Sequence, residues 1–263
     1  MRPLVLLALG LILFGAPALA QDASLRSLQT GDDSRGWEGV GRLNLGDSGF
    51  CTGALIAEDL VLTAAHCLYD KETGARVDPA AIQFLAGWRN GRAAAYRGVK
   101  RAVAHPEYIY GGHDNVDRVQ YDLALLQLDQ PIRLPSIKPF EMDERPARGD
   151  EVGVVSYAQD RSEAPSLQQV CHVLRRQEAM LILSCDVDFG SSGAPIFTVK
   201  DGVARVVSVV SAKAEVEGRK VALGTPLAAP VALLRQKLAD SGATRPGNVR
   251  VLSGGGGGKF VKP

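Results

Sequence analysis

The sequence predicts an all-β protein, a barrel or sandwich of short strands followed by one late helix. Three observations carry this. Short runs of strand-forming residues recur along the chain, Gly, Pro, Asp and Asn turns separate them, and a single helical apolar pattern occurs near the C-terminus. The expected strands lie at Gly39–Leu45, Thr52–Ala57, Ile82–Ala86, Ala94–Val103, Leu123–Leu128, Glu151–Ser156, Gln169–Leu174, Met180–Asp186, Pro195–Val199 and Ala204–Val210. Residues 131–149 hold Pro131, Pro135, Pro139 and Pro146, and read as a connector between two halves. Pro230 suits a first helical turn, and Val231, Leu234 and Leu238 then present one apolar face, expected to pack on the second half. Beyond Asp240 the pattern is lost; the glycine run Gly254 to Gly258 predicts a flexible tail over 241–263.

The chain has 263 residues, 46% hydrophobic, with 30 Lys+Arg against 29 Asp+Glu. This near-neutral, apolar-rich balance excludes a disordered chain and gives no support to bulk electrostatic capture of nucleic acid. The length is ample for one or two domains. Four cysteines are too few for a small scaffold held by disulfides in place of a core.

The first twenty residues read as a secretory signal. Arg2 gives a positive start, Leu4 to Leu13 is an apolar run broken only by Gly10, and Ala18-Leu19-Ala20 supplies a cleavage site before Gln21. The run is shorter than the roughly 20 residues of a membrane span. Cleavage removes Arg2 and no acid, leaving 29 basic against 29 acidic residues. The expected destination is a periplasm or the exterior, where disulfides persist, with no membrane attachment after cleavage.

Three motifs carry chemistry. Leu62-Thr63-Ala64-Ala65-His66-Cys67 puts a histidine after an apolar strand, and imidazole is suited to moving protons near neutral pH. Tyr121-Asp122-Leu123-Ala124 heads another apolar strand with an aspartate, which beside a histidine would fix the ring's tautomer. Gly190-Ser191-Ser192-Gly193-Ala194-Pro195 exposes a serine on a tight turn whose N–H groups can converge on one point. Each alone has a plain structural reading: a core histidine, a strand-end aspartate, an ordinary loop. Their order is what gives them specificity. An α/β-hydrolase has its serine first and its histidine last, the reverse of this chain, and has Gly where Ala194 stands.

Taken together, these motifs resemble those of the trypsin-like (chymotrypsin-fold) serine proteases, over about residues 37–240. The resemblance implies two six-stranded antiparallel β-barrels, at 37–130 and 150–240, the second including the helix. Residues 21–36 precede them as an N-terminal segment or short propeptide. It also implies a secreted serine endopeptidase acting on protein or peptide substrates as a monomer, without cofactor, metal or nucleic acid. Ser192 would be the nucleophile, His66 the general base, Asp122 the orienting carboxylate, and the N–H groups of Gly190 and Ser192 the oxyanion hole. Ser211 corresponds to the family serine that supports the aspartate, although a polar strand-end residue is an equally plain reading. A non-proteolytic binding protein and an esterase-like hydrolase on the same scaffold are the rival functions; an intact Ser-His-Asp set argues against the first.

Departures from the family pattern are informative. In most animal members a new amino terminus pairs with an Asp just before the nucleophile. Ser191 stands there, and no Ile-Val-Gly-Gly sequence precedes Trp37. Both partners of that switch are missing, as in the bacterial glutamyl-endopeptidase-like branch, so trypsinogen-type activation is not expected. Asp186 has the spacing of trypsin's pocket-floor aspartate, and Lys213 stands where the family usually has glycine. Without a pocket-loop cysteine the register of Asp186 is open, and Lys213 argues against simple trypsin specificity. Four cysteines allow three pairings; the resemblance implies Cys51–Cys67, bracing the loop of His66, and Cys171–Cys185. Cys67 beside His66 and Cys171 beside His172 have neither Cys-x-x-Cys nor His-Glu-x-x-His spacing, so no metal site is expected.

Overall fold

The computed structural model describes residues 22–111, 116–143, 146–177, 180–216 and 218–242. The signal segment, the glycine run and His113 lie outside the described residues. After a two-residue strand β1 (Arg26–Ser27), the first half contains β2 (Val40–Leu45), β3 (Phe50–Ala57), β4 (Leu60–Thr63), β5 (Ile82–Ala86), β6 (Ala95–Ala104), a short helix α1 (Val116–Gln120) and β7 (Ala124–Leu128). These strands, β1 apart, close into a barrel in the order β2-β3-β4-β7-β6-β5. Leu43, Phe84 and Leu126 fill its interior, the inward-facing members of an alternation that hides one face of each strand.

The second half holds β8 (Glu141–Met142), β9 (Glu151–Ala158), β10 (Arg161–Gln177), β11 (Met180–Leu183), β12 (Pro195–Lys200), β13 (Val203–Val216) and β14 (Arg219–Pro226). Six of them form a second ring, β9-β10-β11-β14-β13-β12, with β12 paired back to β9. Val154, Leu183 and Ile196 lie inside it. A third apolar cluster joins the halves, with Leu62 and Leu125 from the first and Tyr157 and Phe197 from the second.

β10 and β13 run far longer than the sequence suggested because bulges let them bend around the ring. The ladder slips between Arg161 and Ser166, around Pro165, and between Val210 and Ala212, at Ser211. β1, β8, β14 and α1 had no strand or helix signal strong enough to read. The final helix, α2 (Ala228–Gly242), differs from expectation in what it covers. It contacts β6 and β7 of the first barrel, and Arg101 of β6 donates to the Leu238 carbonyl at 2.9 Å. Its Val231, Leu234 and Leu238 belong to the joining cluster, so its apolar stripe closes the seam between the barrels.

The segment before the first barrel is built into the second. β1 pairs antiparallel with β10, Arg26 opposite Leu167 and Ser27 opposite Ser166. Leu28 donates its N–H to the Pro165 carbonyl at 2.8 Å and its side chain, fully buried, joins the central cluster. Two disulfides are present, Cys51–Cys67 and Cys171–Cys185. The first closes a loop of 16 residues, a length that restricts the unfolded chain by about 3 kcal/mol in the entropy model.

Leu28 provides a direct measure of this integration. Leu28→Ala should lower the unfolding free energy by about 2–5 kcal/mol, read from urea melts of the purified protein. An unchanged midpoint would mean that residues 22–28 rest on the fold without contributing to it.

Candidate active site

The cleft side of the seam is held by one carboxylate. Asp122, only 2% exposed, sits between α1 and β7. Its Oδ1 accepts the backbone N–H of His66 at 2.8 Å, and its Oδ2 lies 2.7 Å from His66 Nδ1. Ser211 of β13 donates its Oγ–H to the same Oδ2 at 2.5 Å. With Nδ1–H given to Asp122, a neutral His66 ring carries its lone pair on Nε2. The 3-10 turn Ala65–Leu68 places His66 just past β4, and the Cys51–Cys67 bridge ties that turn to β3.

Ser192 lies on the loop between β11 and β12, and shares one cavity of about 670 Å³ with His66, Asp122 and Ser211. The loop is clamped from the opposite barrel by Thr52 of β3. Its N–H donates to the Ser192 carbonyl at 2.9 Å, and its Oγ–H to the Gly190 carbonyl at 2.8 Å. Thr52 carried no sequence signal, since its role depends on contact between distant strands.

Two peptides of this loop are oriented by their carbonyls. Phe189 C=O accepts from Gln159 N–H at 2.7 Å, and Ser191 C=O from Ala194 N–H at 2.9 Å. A trans peptide sets N–H opposite its C=O, so the N–H groups of Gly190 and Ser192 point away from those partners. Among the described residues neither N–H has an acceptor. Two free donors beside a serine and a carboxylate-bound imidazole can stabilise an oxyanion formed by attack on a carbonyl.

Ser191 is fully buried, and its neutral hydroxyl lies 3.2 Å from Ser156 Oγ and 3.3 Å from the Tyr157 carbonyl. No charged partner is needed at that position. Of the two pocket candidates, Lys213 lines the cavity and Asp186 does not. Asp186 is exposed, with its N–H bonded to Gln168 Oε1 at 2.7 Å, and Asp188 lines the cavity instead. Lys213 Nζ meets Asp188 Oδ1 at 2.7 Å, and with the Phe189 N–H it holds that carboxyl below the usual carboxylate range. Phe189 rises at the mouth with Lys213 Nζ 4.0 Å from its ring centre. The deeper wall is apolar, formed by Val119, Met180, Ala212, Ala214 and Leu223. Asp188, Phe189 and Gln159 escaped the sequence reading, which relied on spacing to the serine.

Two further described histidines lie elsewhere. His105 is buried and stacks on Tyr121 with ring centres 4.8 Å apart; burial pushes its pKa down. His172 pairs through Nδ1 with Asp22 at 2.7 Å. Cys51, Cys67 and His66 lie close together, but both sulfurs are committed to the disulfide.

A Trypsin family model matches residues 31–232. Serine protease 23 of Mus musculus is 28% identical over 164 residues, 56% of this chain and 42% of that protein. Glutamyl endopeptidase of Bacillus licheniformis is 25% identical over 150 residues, 57% of this chain and 45% of its own length. The chain thus matches less than half the length of these curated relatives. Among solved structures, a Glu endopeptidase in complex with MPD superposes with a TM-score of 0.67 at 19% identity, covering 84% of this chain and 99% of that one.

The loop geometry depends on glycine at 193, where φ is +75° and an added Cβ would meet Thr63 Oγ1 at 2.1 Å and the Thr52 carbonyl at 2.5 Å. Gly193→Ala should therefore destabilise the protein by at least about 1–3 kcal/mol through overpacking, measured by denaturant titration. A fully stable variant would show that the loop can move off β3 at little cost.

Proposed function

This chain belongs to the trypsin family, and from that premise we propose that it is a secreted serine endopeptidase working through an acyl-enzyme. The observation that carries the reading is the buried Asp122 bound at once to the ring and backbone of His66 and to Ser211, beside a loop with two unspent N–H donors. In this scheme Ser192 Oγ attacks the scissile carbonyl carbon while its proton passes to His66 Nε2. Asp122 stabilises the resulting imidazolium. The negative oxygen is held by the N–H groups of Gly190 and Ser192. The C–N bond then breaks, the amine leaves with the proton from His66, and a water repeats the sequence to release the acid.

Secretion is supported by the signal-like first twenty residues and by two disulfides. No helix among the described residues is long and apolar enough to cross a membrane. Activation without a trypsinogen-type switch is supported by the neutral bonding of Ser191 and by the seating of residues 22–28 on β10. A buried amino group with no carboxylate opposite would be costly there.

The cavity does not favour basic side chains. Its wall carboxylate, Asp188, is already paired with Lys213, and Lys71 adds positive charge to the lining. Substrates with Arg or Lys at the cleaved bond should be poor. Lys213→Ala would leave Asp188 unpaired and should raise the relative kcat/KM for such substrates several-fold, scored on a peptide library; an unaltered profile would remove both residues from specificity.

The nucleophile has a sharper test. Ser192→Ala should abolish labelling by a fluorophosphonate and cut peptide hydrolysis by about a millionfold. Casein cleavage by that variant at the wild-type rate would falsify the assignment. Labelling of the wild type without cleavage of any protein would instead point to an esterase.

A further inference from the structure

The first residues after the signal segment are wired to the oxyanion loop through one buried amide. Gln168 of β10 is 4% exposed and bonds in two directions. Its Nε2 donates to the Ala23 carbonyl at 2.9 Å, and its Oε1 accepts the Asp186 N–H at 2.7 Å. A carbonyl can only accept and an N–H can only donate, so these two partners fix which way the amide faces. Four residues beyond Asp186 is Gly190, one of the two proposed oxyanion donors. Val187, Asp188 and Phe189 between them line the cavity.

The N-terminal partner is itself held in place. Ala23 gives its own N–H to the Val170 carbonyl at 2.8 Å. Asp22 Oδ1 meets His172 Nδ1 at 2.7 Å and accepts Ser184 Oγ–H at 2.8 Å. His172 and Ser184 are cross-bonded through the backbone, His172 N–H to Ser184 Oγ at 2.8 Å and Ser184 N–H to the His172 carbonyl at 3.0 Å. The Cys171–Cys185 disulfide fastens the adjoining pair. The strand exit at 184–186 is therefore gripped by Asp22 directly and by Ala23 through Gln168.

We propose that residues 22–23 hold the oxyanion loop in its working geometry, with Gln168 as the positioning residue that couples them. If Ala23 leaves, the Gln168 Nε2 is a buried donor without an acceptor. Its amide must then turn or move, and the Asp186 N–H loses the bond that sets the start of the loop. The proposal rests on the endopeptidase reading, because the loop matters only if Gly190 and Ser192 stabilise an oxyanion. It assigns to residues just after the signal cleavage site a task that the missing amino-terminal ion pair leaves undone.

The test uses the full chain expressed with its signal segment, alongside variants lacking residues 21–23, carrying Gln168→Met, or carrying both. Asp22→Ala is a milder variant of the same anchor that keeps the chain length. Fluorophosphonate labelling rates and kcat and KM are measured on protein shown to be folded by its melting transition. Each single change should slow labelling and lower kcat by about tenfold, within the usual range of coupling between sites. kcat should fall by more than KM changes, because the affected donors act in the transition state. The double variant should be no slower than the slower single one. Labelling by the truncated and Asp22→Ala proteins at the wild-type rate would overturn the coupling while leaving the endopeptidase reading intact. So would effects of truncation and Gln168→Met that simply multiply. A folded wild type that does not label at all would remove the endopeptidase reading and the coupling together.

Discussion

The structure depends on filling the hydrogen-bonding capacity of the buried Asp122 carboxylate. An isolated carboxylate taken from water costs several kcal/mol, recovered only when its lone pairs are filled. Here the donors come from two distant parts of the chain: the Asp122 segment is met by the turn after β4 and by the bulge in β13. The two rings are thereby required to sit in one relative position. The bulge is itself part of the solution, since it takes Ser211 out of the β13–β14 ladder and frees its side chain to turn toward the cleft. Thr225 of β14 adds to the support through its Oγ–H, bonded to the Val119 carbonyl at 2.7 Å.

The nucleophile loop is held by a different kind of constraint, contact without room to spare. Thr52 pins its carbonyls from the first barrel, Gln159 pins Phe189, and the glycines at 190 and 193 lie against Phe50 and Thr63 respectively. Asp122 orients the imidazole through charge, while packing and backbone bonds orient the donors. The two systems share the cavity, and β3 links them: Cys51 braces the turn of His66 while Thr52 holds the serine loop.

What could be read in advance follows this division. His66, Asp122 and Ser192 stand in local motifs with apolar strands beside them, so residue type and order were enough to nominate them. The strands β5 and β12 were legible because apolar residues bounded by turn formers need no distant information. β14 was not, since Arg219 and Lys220 open it and Gly224 interrupts it. The stripe on α2 was visible, but a stripe does not name its partner, and it covers the seam rather than the second barrel alone. Asp186 illustrates the limit most clearly. Its spacing from Ser192 suits a pocket floor, yet its N–H bonds to Gln168 and Asp188 lines the cavity in its place.

The pairing of β1 with β10 has a consequence for how the chain matures. A chain made amino end first supplies Arg26 early, whereas its partner Leu167 follows only with the second half. Closing so long a loop is slow compared with forming hairpins. The two halves can begin to form before their earliest segment has a place to lie. Docking of that segment therefore waits for the second half of the chain.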